Sequence, residues 1–162
     1  EGGAKIGELG DLDLLEGELE IRGLENVEGF SEAESANIKC KTNLSVLKLS
    51  WTKPNRVQGR YKCDGKEVLE GLEPNPGLKG FHEDDTNMSG DNPNIFPSLQ
   101  TLEIYHCPSL VSLPSNLPKL RVLKLGYCEK LVSIPDEILK DLNKLYIPNW
   151  KRIILASVEN NG

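Results

Sequence analysis

Leu99-x-x-Leu102-x-Ile104-x-x-Cys107-x-x-Leu110 is followed by Leu120-x-x-Leu123-x-Leu125-x-x-Cys128-x-x-Leu131, and then by Leu142-x-x-Leu145-x-Ile147-x-x-Trp150. The second apolar position recurs after 21 residues (Leu102 to Leu123) and again after 22 (Leu123 to Leu145). One such string arises easily by chance, but two complete copies with a third at the right spacing mark an internal repeat. Within each copy, the apolar pair one residue apart places two side chains on the same side of a short strand, and the residue between them points the other way. A single unit cannot bury that edge alone, so neighbouring coils must stack and share one continuous core.

The pattern is that of a leucine-rich repeat. It predicts an α/β solenoid with a curved parallel sheet on the concave face and short helices or irregular segments on the convex face. Cys107 and Cys128 fall at the turn leaving each strand, where a small buried side chain is wanted, and read as structural. Leu110, Leu113, Leu131 and Ile134 continue inward on the return path, where Pro114 and Pro135 suit extended chain.

Upstream the same signature recurs at longer intervals. Leu44-x-x-Leu47-x-Leu49 is one copy, and Leu19-Glu20-Ile21 with Leu24 is an earlier one, 28 residues before Leu47. Between them, Ser31-Glu32-Ala33-Glu34 reads as a capping box, with Ala33, Ala36, Asn37 and Cys40 on one helical face. From Leu47 to Leu102 is 55 residues, close to two long intervals, so one further coil is expected there. Its candidate strand is 78–83, preceded by a helix over 66–72, although Glu83 stands where a core apolar residue belongs. Residues 82–94 (HEDDTNMSGDNPN) are acidic, rich in turn formers and nearly without apolar side chains, the composition of a mobile loop. The expected organisation is long repeats over 1–81, an acidic loop over 82–97, short repeats over 98–150 and a cap or tail over 151–162.

Composition narrows the function. The chain has 162 residues, 19 Lys+Arg against 25 Asp+Glu, and a net charge of −6. That balance argues against non-specific attraction to nucleic acid or anionic lipid. No stretch approaches the roughly 20 apolar residues of a membrane span, so a soluble protein is expected. Residues 1–34 hold 11 acidic and 2 basic residues, whereas 35–81 hold 4 and 9. The chain opens on Glu1 with no leader pattern and reads as a piece of something longer. Cys40, Cys63, Cys107 and Cys128 form no C-x-x-C pair, which fits a reduced intracellular setting better than a disulfide scaffold or a zinc site. The sequons at Asn43 and Asn87 are too short a pattern to outweigh this.

No phosphate loop is present; the nearest approach, Gly59 to Gly65-Lys66-Glu67, has the wrong spacing and no hydroxyl for magnesium. No G-x-S-x-G or H-E-x-x-H occurs, and with His82 and His106 as the two histidines a general base is hard to place. His82, Glu83, Asp84 and Asp85 are consecutive and not held in a coordination geometry. The expectation is a non-enzyme without cofactor or metal, whose function lies on the exposed strand face. Residues between the core positions form a column of Glu20, Lys48, Glu103, Lys124 and Tyr146. Beside it run Arg22, Ser50, Tyr105, Gly126 and Pro148, and then Gly23, Trp51, His106, Tyr127 and Asn149. Aromatic residues and alternating charge suit protein recognition. Glu20, Lys48, Trp51, Glu103, Tyr105, Lys124, Tyr127 and Tyr146 are the candidate contacts, with Glu103–Lys124 pairing across strands and edge packing of Trp51 or Tyr127 as the structural alternatives.

Longer strings also resemble a family. Ile6-Gly7-Glu8-Leu9, Gly17-Glu18-Leu19-Glu20-Ile21-Arg22-Gly23-Leu24-Glu25-Asn26-Val27, Glu32-Ala33-Glu34-Ser35-Ala36-Asn37, Leu44 to Trp51 (LSVLKLSW) and Val68-Leu69-Glu70-Gly71-Leu72-Glu73-Pro74 are similar to the leucine-rich-repeat region of coiled-coil nucleotide-binding (NB-ARC) plant disease-resistance proteins. The resemblance covers most of 5–81, and the Cys107-Pro108 and Leu113-Pro114 style carries it to about 147. It implies a cytoplasmic immune receptor module whose partners are proteins: a pathogen effector, a guarded host protein, or the nucleotide-binding domain of the same receptor class. The resemblance also implies that this nucleotide-binding domain switches between ADP and ATP, and that switch is absent from this chain. Residues 82–97 and the tail after Trp150 depart from the pattern, as a shortened member or fragment would. A ubiquitin-ligase adaptor arm should carry an adaptor-binding helical motif, and a receptor ectodomain 24-residue L-x-G-x-I-P repeats with paired capping cysteines; neither is found. A remnant without a partner is the remaining alternative.

Overall fold

The computed structural model describes residues 4–52, 65–72, 96–111, 113, 117–148 and 154–155. In chain order these form β1 (Glu16–Arg22), α1 (Phe30–Ser35), β2 (Asn43–Ser50), α2 (Gly65–Leu72), β3 (Thr101–Tyr105), β4 (Val122–Gly126), β5 (Ser133–Ile134), α3 (Asp136–Leu139), β6 (Lys144–Tyr146) and β7 (Ile154–Leu155). Short 3-10 turns lie at Ile6–Asp11, Leu24–Asn26 and Ile38–Cys40.

The leucines one residue apart set the architecture. Among the described residues a parallel five-stranded sheet runs β1-β2-β3-β4-β6, and its register aligns Leu19, Leu47, Leu102, Leu123 and Leu145 in one row. Ile21, Leu49, Ile104 and Leu125 form the second row. Interior members of both rows are buried, from Leu47 and Leu49 through Leu123 and Leu125. Each such side chain contributes about 1.5–3 kcal/mol by leaving water, which fixes the register because a slip of one residue would turn the whole row outward. Parallel neighbours need crossovers, and the coil length decides what each crossover contains.

The 28-residue interval has room for a helix. α1 begins at Phe30, with Gly29 as its N-cap at φ 134° and no side-chain cap bond. The expected capping box at Ser31 is therefore replaced by a different contact, in which the Glu28 N–H donates to Glu32 Oε2 at 2.7 Å. Ala33 and Ala36 face inward as the spacing predicts, but Cys40 is exposed. The helix stops at Ser35 and Asn37 turns left-handed (φ 51°), so helical periodicity no longer applies at Cys40 and Ile38 fills the inward place. α2 buries Val68, Leu69 and Leu72 and packs on α1. A Cβ on Gly71 would lie 2.6 Å from both Ala33 Cβ and the Phe30 carbonyl oxygen. That separation is possible only without a side chain.

Among the described residues no strand of the expected extra coil stands between β2 and β3. β2 pairs directly with β3, from Val46↔Thr101 to Ser50↔Tyr105. The seam is closed at both ends: the Gln100 N–H donates to the Ser45 oxygen at 2.8 Å and the Trp51 N–H to the Tyr105 oxygen at 3.0 Å. Repeat length counted two intervals, but hydrogen bonding chose the next good L-x-L strand as neighbour. The expected strand at 78–83 and the acidic loop at 82–97, apart from its last residues Phe96 and Pro97, lie outside the described residues.

In the 21-residue coils the return path is itself a ladder. The Val132 N–H donates to the Val111 oxygen at 3.1 Å, and β5 pairs in parallel with β7 through Ser133↔Ile154 and Ile134↔Leu155. Leu155 thus follows Ile134 by the same 21 residues that separate Ile134 from Leu113. Residues 154–155, expected to cap or trail, carry the repeat spacing onward; the rest of 149–162 lies outside the described residues. Sequence reasoning also missed Lys41. It is 1% exposed, and its Nζ donates to the Leu12 carbonyl at 3.2 Å, tying the segment before β1 to the turn that opens β2.

Candidate protein-recognition surface

Alternation along each strand sends every second side chain to the concave face, and the register arranges these in columns. Glu20, Lys48, Glu103, Lys124 and Tyr146 are successive partners across all five strands. Arg22, Ser50, Tyr105 and Gly126 form the column on one side of it, and Glu18, Val46, Thr101, Val122 and Lys144 the column on the other. Pro148 and Asn149 follow β6; the latter lies outside the described residues.

Charge on this face is locally paired. Lys124 Nζ stands 2.8 Å from Glu103 Oε1, and the Tyr105 hydroxyl donates to Glu103 Oε2 at 3.3 Å. Glu103 is 8% exposed, with its two carboxylate oxygens engaged by these two partners. That is the cross-strand pairing alternative, and its physical basis is burial between Lys124 and Tyr105. The bond to Glu103 raises the Lys124 pKa above the ordinary lysine value. Burial, and then the Glu103 charge, raises that of the Tyr105 phenol. Lys48 Nζ reaches back to Glu18 Oε1 at 2.5 Å, which raises the lysine. Arg22 clasps Glu20 with Nε and Nη2 at 2.8 and 3.0 Å, lowering the carboxylate and raising the guanidinium.

Gly126 explains the pose of Tyr105. A Cβ there would fall 2.4 Å from Tyr105 Cδ1, so the ring lies in the slot left by the missing side chain. The next column depends on one backbone torsion. Gly23, His106 and Tyr127 all leave their strands with positive φ, at 74°, 58° and 55°. At His106 and Tyr127 this breaks the alternation and leaves the rings at the surface, stacked with centroids 4.8 Å apart and planes at 6°. Tyr127 is 51% exposed. Trp51 has no positive φ, keeps the strand alternation and turns inward, where it is 2% exposed. Trp51 is therefore a core residue and not a contact, a correction. Of the eight candidate residues, Glu20, Lys48, Tyr105, Lys124, Tyr127 and Tyr146 remain accessible in whole or part on this face. Sequence reasoning missed Glu18 as the partner of Lys48 and His106 as the stacking partner of Tyr127. The column alignment carried a signal for both.

At the rim, Glu25 accepts from the Thr52 hydroxyl and, at 2.9 Å, from the Thr52 N–H. Burial pushes the Glu25 carboxyl up, but the Thr52 bonds outweigh it and hold the pKa below the usual value. Among the described residues no group of three or more His, Cys, Asp and Glu is arranged to hold a metal ion; His82 and residues 83–85 lie outside them. Cys40, Cys107 and Cys128 form no disulfide among the described residues, and Cys63 lies outside them. Burial pushes the Cys128 thiol up to about 11, against a small opposing effect of the Cys107 backbone. The thiolate is the reactive form, so iodoacetamide at pH 8 is expected to label exposed Cys40 in the folded chain and to spare Cys107 and Cys128 until denaturant is added. Peptide mapping by mass spectrometry checks this. Early labelling of Cys128 would contradict the assigned burial.

No described helix is long and apolar enough to cross a membrane. A family model described as R13L1/DRL21 LRRs matches residues 6–128. A candidate disease resistance protein of Arabidopsis thaliana is 45% identical over 84 residues, 49% of this chain and 6% of the relative. In Solanum bulbocastanum, candidate disease resistance protein RGA4 is 42% identical over 77 residues (48% of this chain, 7% of the relative). Disease resistance protein RGA2 of the same species is 38% identical over 76 residues (47% and 8%). The chain thus spans less than a tenth of the length of these relatives. No solved structure gives a significant match. Strand register, coil spacing and these matches agree: the chain belongs to the R13L1/DRL21 leucine-rich-repeat family, a leucine-rich-repeat region homologous to plant disease resistance proteins.

Proposed function

We propose that the concave sheet is the protein-recognition surface of an intracellular plant immune receptor module. Its partners are a pathogen effector or guarded host protein and, in the resting state, the nucleotide-binding domain of the same receptor class. The observation that carries this is the in-register column of acid, base and aromatic side chains, held in fixed poses by Glu103 and by the slot over Gly126. Tyr127 and Tyr146 supply large amphipathic surface at small entropic cost, and Lys48 and Lys124 supply oriented charge. The proposal makes this chain a binding and regulatory element without chemistry of its own.

The test is co-precipitation, in plant cells, with the nucleotide-binding domain of a full-length relative and with the effectors that relative recognises. Joint replacement Lys124→Glu, Tyr127→Ala and Tyr146→Ala is expected to abolish capture; capture unchanged by all three together would remove the reading. Gly126→Val is a finer probe. Its side chain must push the Tyr105 ring away and break the bond to Glu103, so affinity is expected to fall about tenfold or more while the thermal melt stays cooperative. Undiminished affinity would show that the Tyr105 pose is irrelevant.

A further inference from the structure

We propose that the segment from Ile6 to Leu15 is a strap that closes on the first coil and opens as a unit, hinged at Gly17 and sprung by the buried Lys41. The 3-10 turn of the strap packs on α1. Ile6 is buried, and Leu9 and Leu15 lie against the core cluster. Two glycines one turn apart permit the close approach. A Cβ on Gly7 would stand 2.8 Å from Ser35 Oγ, and one on Gly10 would overlap the Ser35 carbonyl oxygen, which is backbone at the end of α1. The hinge lies where β1 starts. Gly17 pairs with Leu44 but Glu18 pairs with Val46, so Ser45 is bulged out of the ladder, and its hydroxyl donates to the Gly17 oxygen at 3.1 Å. Gly17 has φ 79°, while a Cβ there would meet nothing within 4 Å. Torsion rather than crowding therefore calls for glycine here. A bulge interrupts pairing and re-aims the chain, so from Glu18 onward the ladder holds whichever way the strap lies.

Lys41 supplies the force that opens the strap. It is 1% exposed, and among the described residues its Nζ bonds one oxygen, the Leu12 carbonyl at 3.2 Å, with no carboxylate at ion-pair distance. A cation removed from water against one neutral acceptor is costly. Closing the strap imposes that cost. Opening it returns the ammonium to water, because the oxygen it touches belongs to the strap. The backbone of Lys41 is itself fixed to the sheet, where its oxygen accepts from the Leu44 N–H at 3.3 Å as β2 begins. The strap thereby has a local opening equilibrium of its own, set apart from global unfolding. Its movement leaves the columns of the concave face in place and is independent of the recognition reading.

Native-state hydrogen exchange of the purified chain, together with acylation of Lys41 by an N-hydroxysuccinimide ester and peptide mapping, tests this. The amides of Leu12 and Leu15 donate to the Leu9 and Leu12 oxygens at 3.1 and 3.2 Å. They are expected to exchange through an opening that leaves the amides of Leu47 and Leu123 protected, and Lys41 to be acylated through the same opening. Lys41→Met keeps the length of the side chain without its charge and is expected to slow strap exchange about tenfold. Gly10→Ala is expected to speed it about tenfold and to raise Lys41 acylation in step, although alanine is the better helix former. Gly17→Ala, strained without a clash, is expected to speed it about fivefold. Strap amides that exchange only together with those of Leu47 and Leu123 would overturn the proposal. So would a Lys41→Met variant whose strap exchange is unchanged or faster, the mark of a merely structural bond. Glycine variants that leave strap exchange and Lys41 acylation as in the parent would do the same.

Discussion

Leu123→Ala is expected to lower the unfolding free energy by about 2–5 kcal/mol, a large part of what a domain of this size has. Leu123 is fully buried on β4, between Leu102 and Leu145 in the row of core leucines. Removing its branch leaves a cavity that neighbours cannot fill, since their own positions are fixed by the backbone ladder on either side. The loss is felt by two interfaces at once, because in a stacked array each coil is held chiefly by its neighbours. Urea unfolding should show a lower midpoint with little change in slope. Leu145→Ala removes the same atoms in the same row at a position already 40% exposed, so it should cost about 1 kcal/mol or less. Equal costs at the two sites would mean that the row is not a continuous core.

Gly71→Leu is expected to undock α2 from α1 and to cost about 1–3 kcal/mol or more. The obstacle is backbone as well as side chain, with the Phe30 carbonyl oxygen and the Ala33 Cβ both 2.6 Å from the position of a new Cβ, and the Glu34 nitrogen 3.0 Å away. Backbone cannot swing aside as a long side chain does. Gly71→Ala makes a sharper comparison. In an exposed helix that exchange stabilises by about 1 kcal/mol; here it should destabilise. Hydrogen exchange should locate the effect in α1, with the amides of Ala33 and Ala36 losing protection first. Unaltered protection in α1 would show that the helices do not depend on this contact.

The strands from Leu102 to Leu145 were legible because a stacked coil writes its inward face into the sequence at fixed spacing, and three copies make that spacing unmistakable. The first long coil was legible for the same reason, with its extra length signalling a helix. The 55-residue interval misled because length does not say which strand will be a neighbour; that is decided by hydrogen-bond pairing, and β2 found β3. Trp51 misled for a more local reason. Its column mates His106 and Tyr127 adopt a left-handed turn that non-glycine residues seldom enter, and no residue type announces that choice. Glu103 was placed correctly in its column, but its burial depends on where Tyr105 lies. That in turn depends on the absent side chain at Gly126, the partner of Tyr105 on β4. Lys41, a charged residue deep in the first coil, had no sequence signal at all.

The return path carries a further consequence. Helices α1 and α2 sit roughly 8–10 Å apart as packed helices do, while strands β1 and β2 below them are about 4.8 Å apart. Between the 21-residue coils the convex side is also a hydrogen-bonded ladder, through Val111 and Val132 and through β5 and β7, so both sides advance by the same step. On those spacings the back of the sheet should open more behind β1 and β2 than behind β4 and β6, where two ladders keep pace.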